Sequence, residues 1–168
     1  MRFGDVWIRS ALAAAIVAAV VVVGEGIGTP KAASVPPPAA AVEPVESDVV
    51  VYKSPTCGCC DGWIDHLRAA GFRVVTRDTS DVGAVKRRLG VLPTLVSCHT
   101  AIVNGYVLEG HVPADDILRM LEERPAIVGL AVPGMPAGSP GMEAAQPHAS
   151  YEVVTFDGQG RTTVFSRR

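Results

Sequence analysis

Three of the chain's four cysteines fall within four residues, in the run Tyr52-Lys53-Ser54-Pro55-Thr56-Cys57-Gly58-Cys59-Cys60-Asp61. Cys59 and Cys60 are neighbours and cannot pair without backbone strain, whereas Cys57 and Cys60 have the Cys-x-x-Cys spacing of redox and metal sites. Soft sulfurs at this density point to a thiophilic metal, to thiol–disulfide exchange, or to both. A structural disulfide with a spare thiol is the bland alternative. Gly58 lets the backbone bend so that the sulfurs converge. Thiolates favour Cu(I), zinc and iron–sulfur chemistry, and clustered ones can bridge several Cu(I) ions. A zinc ribbon would need a second Cys-x-x-Cys, which the chain lacks.

The remaining candidates are scattered. Cys98 is followed at once by His99, and His111 follows Gly110. Either histidine serves as a ligand or as a structural hydrogen-bonder. Met135 and Met142 lie in the Pro/Gly-rich run Val132-Pro133-Gly134-Met135-Pro136-Ala137-Gly138-Ser139-Pro140-Gly141-Met142-Glu143. They are thioether ligands for Cu(I) or apolar anchors of an ordered loop. His66 reads as solvated on the exposed side of a helix, and His148 falls in a stretch read as flexible.

The elements that must position these residues follow from periodicity. Val49-Val50-Val51-Tyr52 is a buried strand ended by Pro55. Asp61 to Ala70 is a helix with Trp63, Ile64, Leu67 and Ala70 on one face, closed by Gly71. Phe72 to Val75 is a second strand. Asp81 to Leu89 is a second helix, capped by Ser80 or Asp81. Thr94 to Ser97 is expected as a third strand and Val103 to Glu109 as a fourth. Pro113 to Glu123 is a third helix, and Tyr151 to Phe156 with Arg161 to Phe165 forms a terminal hairpin across Asp157-Gly158-Gln159-Gly160.

That order predicts an α/β thioredoxin-like fold with an added C-terminal Pro/Gly loop and β-hairpin. Pro93 sits where such a fold carries a cis proline facing the cysteine loop; the alternative is a trans proline opening an edge strand. At the N-terminus of the first helix, unpaired N–H groups and the helix dipole lower thiol pKa, so Cys57 and Cys60 are the candidate catalytic pair. Cys98 presents a difficulty. Five residues beyond Pro93 is about 16 Å along an ideal strand, leading away from the cysteine loop. It joins the cluster only if the third strand is short, bulged or turned back.

The N-terminus reads as an export signal: Arg2 and Arg9, then the thirteen apolar residues Ala11 to Val23. That run is short for a membrane span of about 20 residues and matches a signal-peptide core. The expected organisation is a signal peptide over 1–28, a Pro/Ala-rich linker over 29–47 and one folded domain over 48–168. An uncleaved anchor, the only membrane association expected, is the alternative to cleavage. Either places the cysteines in an exported, oxidising compartment, a bacterial periplasm, where a lone free thiol would be a liability. The net charge of -2 gives no sign of a nucleic-acid partner.

The chain resembles the CopG family of exported bacterial copper-resistance proteins. The resemblance rests on Cys57-Gly58-Cys59-Cys60, Ser97-Cys98-His99-Thr100-Ala101, Glu109-Gly110-His111-Val112-Pro113-Ala114, and Pro133-Gly134-Met135-Pro136 with Gly138-Ser139-Pro140-Gly141-Met142-Glu143. It implies a thioredoxin-like fold and a cysteine-bridged, multinuclear Cu(I) site on Cys57, Cys59, Cys60 and Cys98, with a redox role in copper detoxification. The expected function is a periplasmic Cu(I)-binding protein of copper resistance, serving a copper efflux or redox partner. The alternatives are a thiol–disulfide oxidoreductase, with Cys57 attacking and Cys60 resolving, and a non-catalytic copper chaperone. Whether the protein is an enzyme stays open.

Overall fold

The computed structural model describes residues 45–143 and 149–168. The expected signal peptide, most of the linker and His148 lie outside the described residues. Among those described, no helix is long and apolar enough to cross a membrane.

The first strand, β1 (Val45–Lys53), carries the β-branched run and buries Val49 and Val51 completely. It leads through the cysteine loop into α1 (Gly58–Ala69), which is closed by Gly71 at φ +91°, a left-handed conformation that glycine adopts without strain. β2 (Phe72–Asp78) returns parallel to β1. Asp81 caps α2 (Val82–Arg88) by accepting the Ala84 N–H at 2.8 Å. β3 (Thr100–Val103) and β4 (Tyr106–Glu109) form a hairpin, with β3 antiparallel to β1. α3 (Ala114–Glu123) follows. The order β2-β1-β3-β4, with helices in the crossovers, is the thioredoxin-like core predicted from sequence.

The C-terminal extension enlarges the sheet. β5 (Gly129–Ala131) pairs parallel to β4, and the hairpin of β6 (Glu152–Phe156) and β7 (Thr162–Arg167) completes the order β2-β1-β3-β4-β5-β6-β7. Alternation along the strands gives each face its own core. Leu108, Leu130 and Val153 join Trp63, Ile64 and Leu67 of α1 and Ile117 and Met120 of α3. Val107, Ala131 and Phe156 point the other way and pack with Val91 and Leu95.

Two strand expectations are corrected. Thr94 to Ser97 is not a strand: Pro93–Leu95 forms a 3-10 turn, and the third strand begins only at Thr100. Val103 to Glu109 is interrupted by Asn104 and Gly105, both at positive φ (47° and 84°), so the run is a tight hairpin turn entering a shorter strand. The first correction removes the geometric obstacle to Cys98. Pro93–Leu95 is a turn and residues 96–99 pair in no strand, so the 16 Å displacement expected of an ideal strand running on from Pro93 does not apply.

Candidate metal centre

Cys57 is the N-cap residue of α1, and Cys59 and Cys60 lie in its first turn. The loop before them is anchored by Lys53. Its buried ammonium bonds the Ser54 carbonyl at 3.2 Å and pairs with Asp61 at 3.0 Å and Asp78 at 3.7 Å. The Asp61 carboxylate, beside it, chiefly raises the Lys53 pKa.

Cys57 and Cys60 are joined in a disulfide, while Cys59 and Cys98 are free thiols. The Cys98 sulfur lies 3.5 Å from that of Cys60 and 4.0 Å from that of Cys59, and Cys59 lies 3.6 Å from Cys57. The ligand atoms of all four cysteines fall within 4.8 Å of one another. Cys98 also belongs to a second set with the two histidines: its sulfur is 3.3 Å from His99 Nδ1 and 3.0 Å from His111 Nε2. Cys98 is thus the one residue common to an all-sulfur group and a sulfur–nitrogen group.

The two imidazoles are held differently. His111 Nδ1 lies 2.7 Å from the Pro140 carbonyl, so that nitrogen carries the proton and Nε2 turns its lone pair toward Cys98. A backbone carbonyl behind an imidazole is the arrangement that orients metal-binding histidines. His99 is fully buried, with its ring centroid 4.3 Å from that of Trp63, and its Nε2 has no hydrogen-bond partner among the described residues. Burial lowers the pKa of both histidines, and for His99 the His111 ring and Lys86 push further in the same direction. Burial thus favours the neutral form of both rings, which carries a lone pair able to bind a cation. Burial, reinforced by the Cys59 sulfur, pushes the Cys98 thiol up to about 12. A cation must therefore displace its proton. Four sulfurs with two neutral imidazoles suit a soft cation.

The Pro/Gly run closes over this group. Gly141 packs backbone to backbone on α1: a Cβ there would lie 2.7 Å from both the Cys59 carbonyl oxygen and the Trp63 amide nitrogen. Its neighbour Pro140 reaches His111 through its carbonyl. Met135 is exposed and Met142 half-buried.

Sequence reasoning mistook His66. It is half-buried rather than merely solvated, and its Nε2 accepts the Ala114 N–H at the start of α3 at 3.0 Å. Burial lowers its pKa, against the opposing charges of Glu143 and Asp115. The unfolded chain therefore takes up this proton first as pH falls below about 6.5. The stability due to the bond is complete above that pH and is lost progressively below it. His66→Gln is expected to flatten part of the decline in urea midpoint between about pH 8 and about pH 5. An unchanged decline would show that His66 carries none of it.

Fold and site together define the class: a thioredoxin-like protein whose Cys-x-x-Cys loop is part of a metal-binding cysteine cluster. A family model described as "Protein of unknown function, DUF411" matches residues 95–142. The solved structure "Copper resistance protein copG- Form 2" is 47% identical, with 75% of this chain and 99% of that chain covered and a TM-score of 0.69. "Form 1" is also 47% identical, covering 75% and 98%, at a TM-score of 0.68. No curated protein matches. The chain belongs to the CopG family.

Proposed function

We propose that this protein captures Cu(I) in the periplasm as part of copper resistance, in a multinuclear site bridged by the thiolates of Cys57, Cys59, Cys60 and Cys98. The supporting observation is the convergence of sulfurs from two separated stretches to within 4.8 Å, in a chain 47% identical to copper resistance proteins. The leader pattern supports export. His99 and His111 supply neutral nitrogen donors on the Cys98 side.

Loading is linked to the redox state of Cys57 and Cys60. Opening their disulfide takes two electrons and two protons and yields two thiols; a dithiol partner would supply them. The thiols then lose their protons to solvent as copper takes the sulfurs, so capture weakens as pH falls. Anaerobic Cu(I) titration tests the reading. Reduced protein is expected to load several ions, and protein with the disulfide intact fewer. Absence of binding by the reduced form would overturn it.

One observation favours thiol–disulfide exchange as a second reading. An apolar cleft of about 420 Å³, lined by Val91, Pro93, Val96 and Cys98 among others, opens beside the Cys98 thiol and has room for a substrate segment. Reduction of a protein disulfide that survives Cys98→Ser and Cys59→Ser would establish exchange through Cys57 and Cys60 alone.

A further inference from the structure

Cys98 belongs to no helix or strand, yet its sulfur lies within 4.8 Å of ligand atoms of five other residues, Cys57, Cys59, Cys60, His99 and His111. What fixes it there is a group of buried polar side chains outside the cluster. Glu109, at the end of β4, is completely buried. Its Oε1 accepts the Ser97 N–H at 2.6 Å and pairs with the Lys86 ammonium of α2 at 2.6 Å. Its Oε2 accepts the Thr100 hydroxyl at 2.6 Å, and Lys86 also bonds that hydroxyl at 2.9 Å. The bonds thus grip the chain at Ser97 and Thr100, immediately on either side of Cys98-His99.

The backbone around Glu109 completes the hold. The His99 carbonyl accepts the Gly110 N–H at 3.1 Å, and the Glu109 carbonyl accepts the Val132 N–H at 2.9 Å. The Val96 carbonyl accepts the Gly134 N–H at 3.2 Å, and the Ser97 hydroxyl donates to the Gly134 carbonyl. Gly110, at φ +72°, admits this packing: a Cβ there would lie 2.6 Å from Ser97 Cβ and 2.7 Å from the Val132 carbonyl oxygen. In Glu109-Gly110-His111, the first residue holds Ser97, the second makes room for it, and the third faces the Cys98 sulfur.

A buried ion pair is a poor way to gain stability, because an apolar pair of similar volume is often neutral or better. Its distinctive property is direction: the carboxylate sets where the Ser97 N–H must lie. We infer that Glu109, oriented by Lys86 and Thr100, is a positioning residue that sets the height and orientation of Cys98 over the cysteine loop. This rests on the copper reading only for its consequence in metal loading; the positioning is a property of the metal-free protein.

The experiment compares two double variants with the intact protein, reduced and free of metal. Lys86→Met with Glu109→Leu removes both charges and the acceptor. Lys86→Met with Glu109→Gln removes both charges but keeps an oxygen for the Ser97 N–H. In the first, alkylation of Cys98, followed by mass spectrometry, is expected to quicken by roughly tenfold or more as the half-buried thiol is released. Its Cu(I) load should fall to that of Cys98→Ser. The Gln variant should stay near wild type in both.

A folded Lys86→Met/Glu109→Leu protein with wild-type alkylation would overturn the inference. So would a Gln variant that fails as badly as the Leu variant. If the Leu variant does not fold, hydrogen exchange of wild-type protein decides: the Ser97 amide must exchange as slowly as those of β3, and exchange at a loop rate would refute the hold. If wild type loads no copper while the alkylation result stands, the copper reading fails and the positioning survives.

Discussion

Cys98→Ser is expected to abolish multinuclear Cu(I) loading while leaving the fold intact. Three sulfurs come from one turn of chain and are close by covalent constraint, whereas Cys98 alone brings a sulfur from elsewhere, 3.5 Å from Cys60 and 4.0 Å from Cys59. Among the described residues it is also the only cysteine grouped with both His99 and His111. Removing it separates the all-sulfur group from the imidazoles. Loss of outer partners behind a metal ligand commonly costs about 10–100-fold in affinity. Loss of a bridging ligand should exceed that, so competition against a Cu(I) chelator should weaken by at least about 100-fold. The structural cost is small, because Cys98 is only half-buried and a serine hydroxyl can bond His111 Nε2 in its place. The expected shift in unfolding free energy is within about 1 kcal/mol. Anaerobic titration and urea unfolding of the same preparation separate the two effects. A variant that loads copper like wild type would show that the shared site is not the one that binds.

Much of this arrangement is legible in the sequence. The apolar run of β1, the Cys-x-x-Cys spacing and the face of α1 carrying Trp63, Ile64 and Leu67 are local signals, and they place the cysteine loop. The stretch from Pro93 to His99 was not legible, for a physical reason. Leu95 is buried and Val96 exposed, an alternation that a strand and a 3-10 turn followed by extended chain share. Bonds to Glu109 and Gly134, residues remote in sequence, decide between them. Lys86 shows the same limit. Nothing in its local sequence, beside Arg87 and Arg88, marks it as buried, and only the buried carboxylate of Glu109 brings it inside. The Val103-Asn104-Gly105-Tyr106 turn is different, since Asn-Gly between apolar residues is a hairpin signal present in the sequence. β5, with three residues, is too short to show any period.

Gly141→Ala should be among the most damaging single substitutions in the chain, and its damage should reach the site through His111. The backbone at Gly141 has φ +86°, a conformation that costs an L-residue about 1–2 kcal/mol. The added methyl would also lie 2.7 Å from the Cys59 carbonyl oxygen and the Trp63 amide nitrogen, both backbone atoms of α1. Neither can swing aside as a side chain can, so the loop must lift. Relieving such overpacking typically costs a further 1–3 kcal/mol or so. Together these amount to about 2–5 kcal/mol, a fall in melting temperature on the order of 10 °C for a domain of this size. Lifting the loop also withdraws the Pro140 carbonyl from His111 Nδ1, now 2.7 Å away. Without that acceptor the ring is free to turn or change tautomer, and its Nε2 no longer faces Cys98. Gly134→Ala is the control: φ is +70°, but a Cβ there meets nothing within 4 Å. It carries the same backbone penalty without the collision, so it should lose only about 1–2 kcal/mol and keep His111 in place. Thermal melts, with the His111 ring resonances followed by NMR, distinguish the two. Equal melting temperatures for both variants, or an undisturbed His111 in Gly141→Ala, would mean that the loop's close approach to α1 does not hold the imidazole.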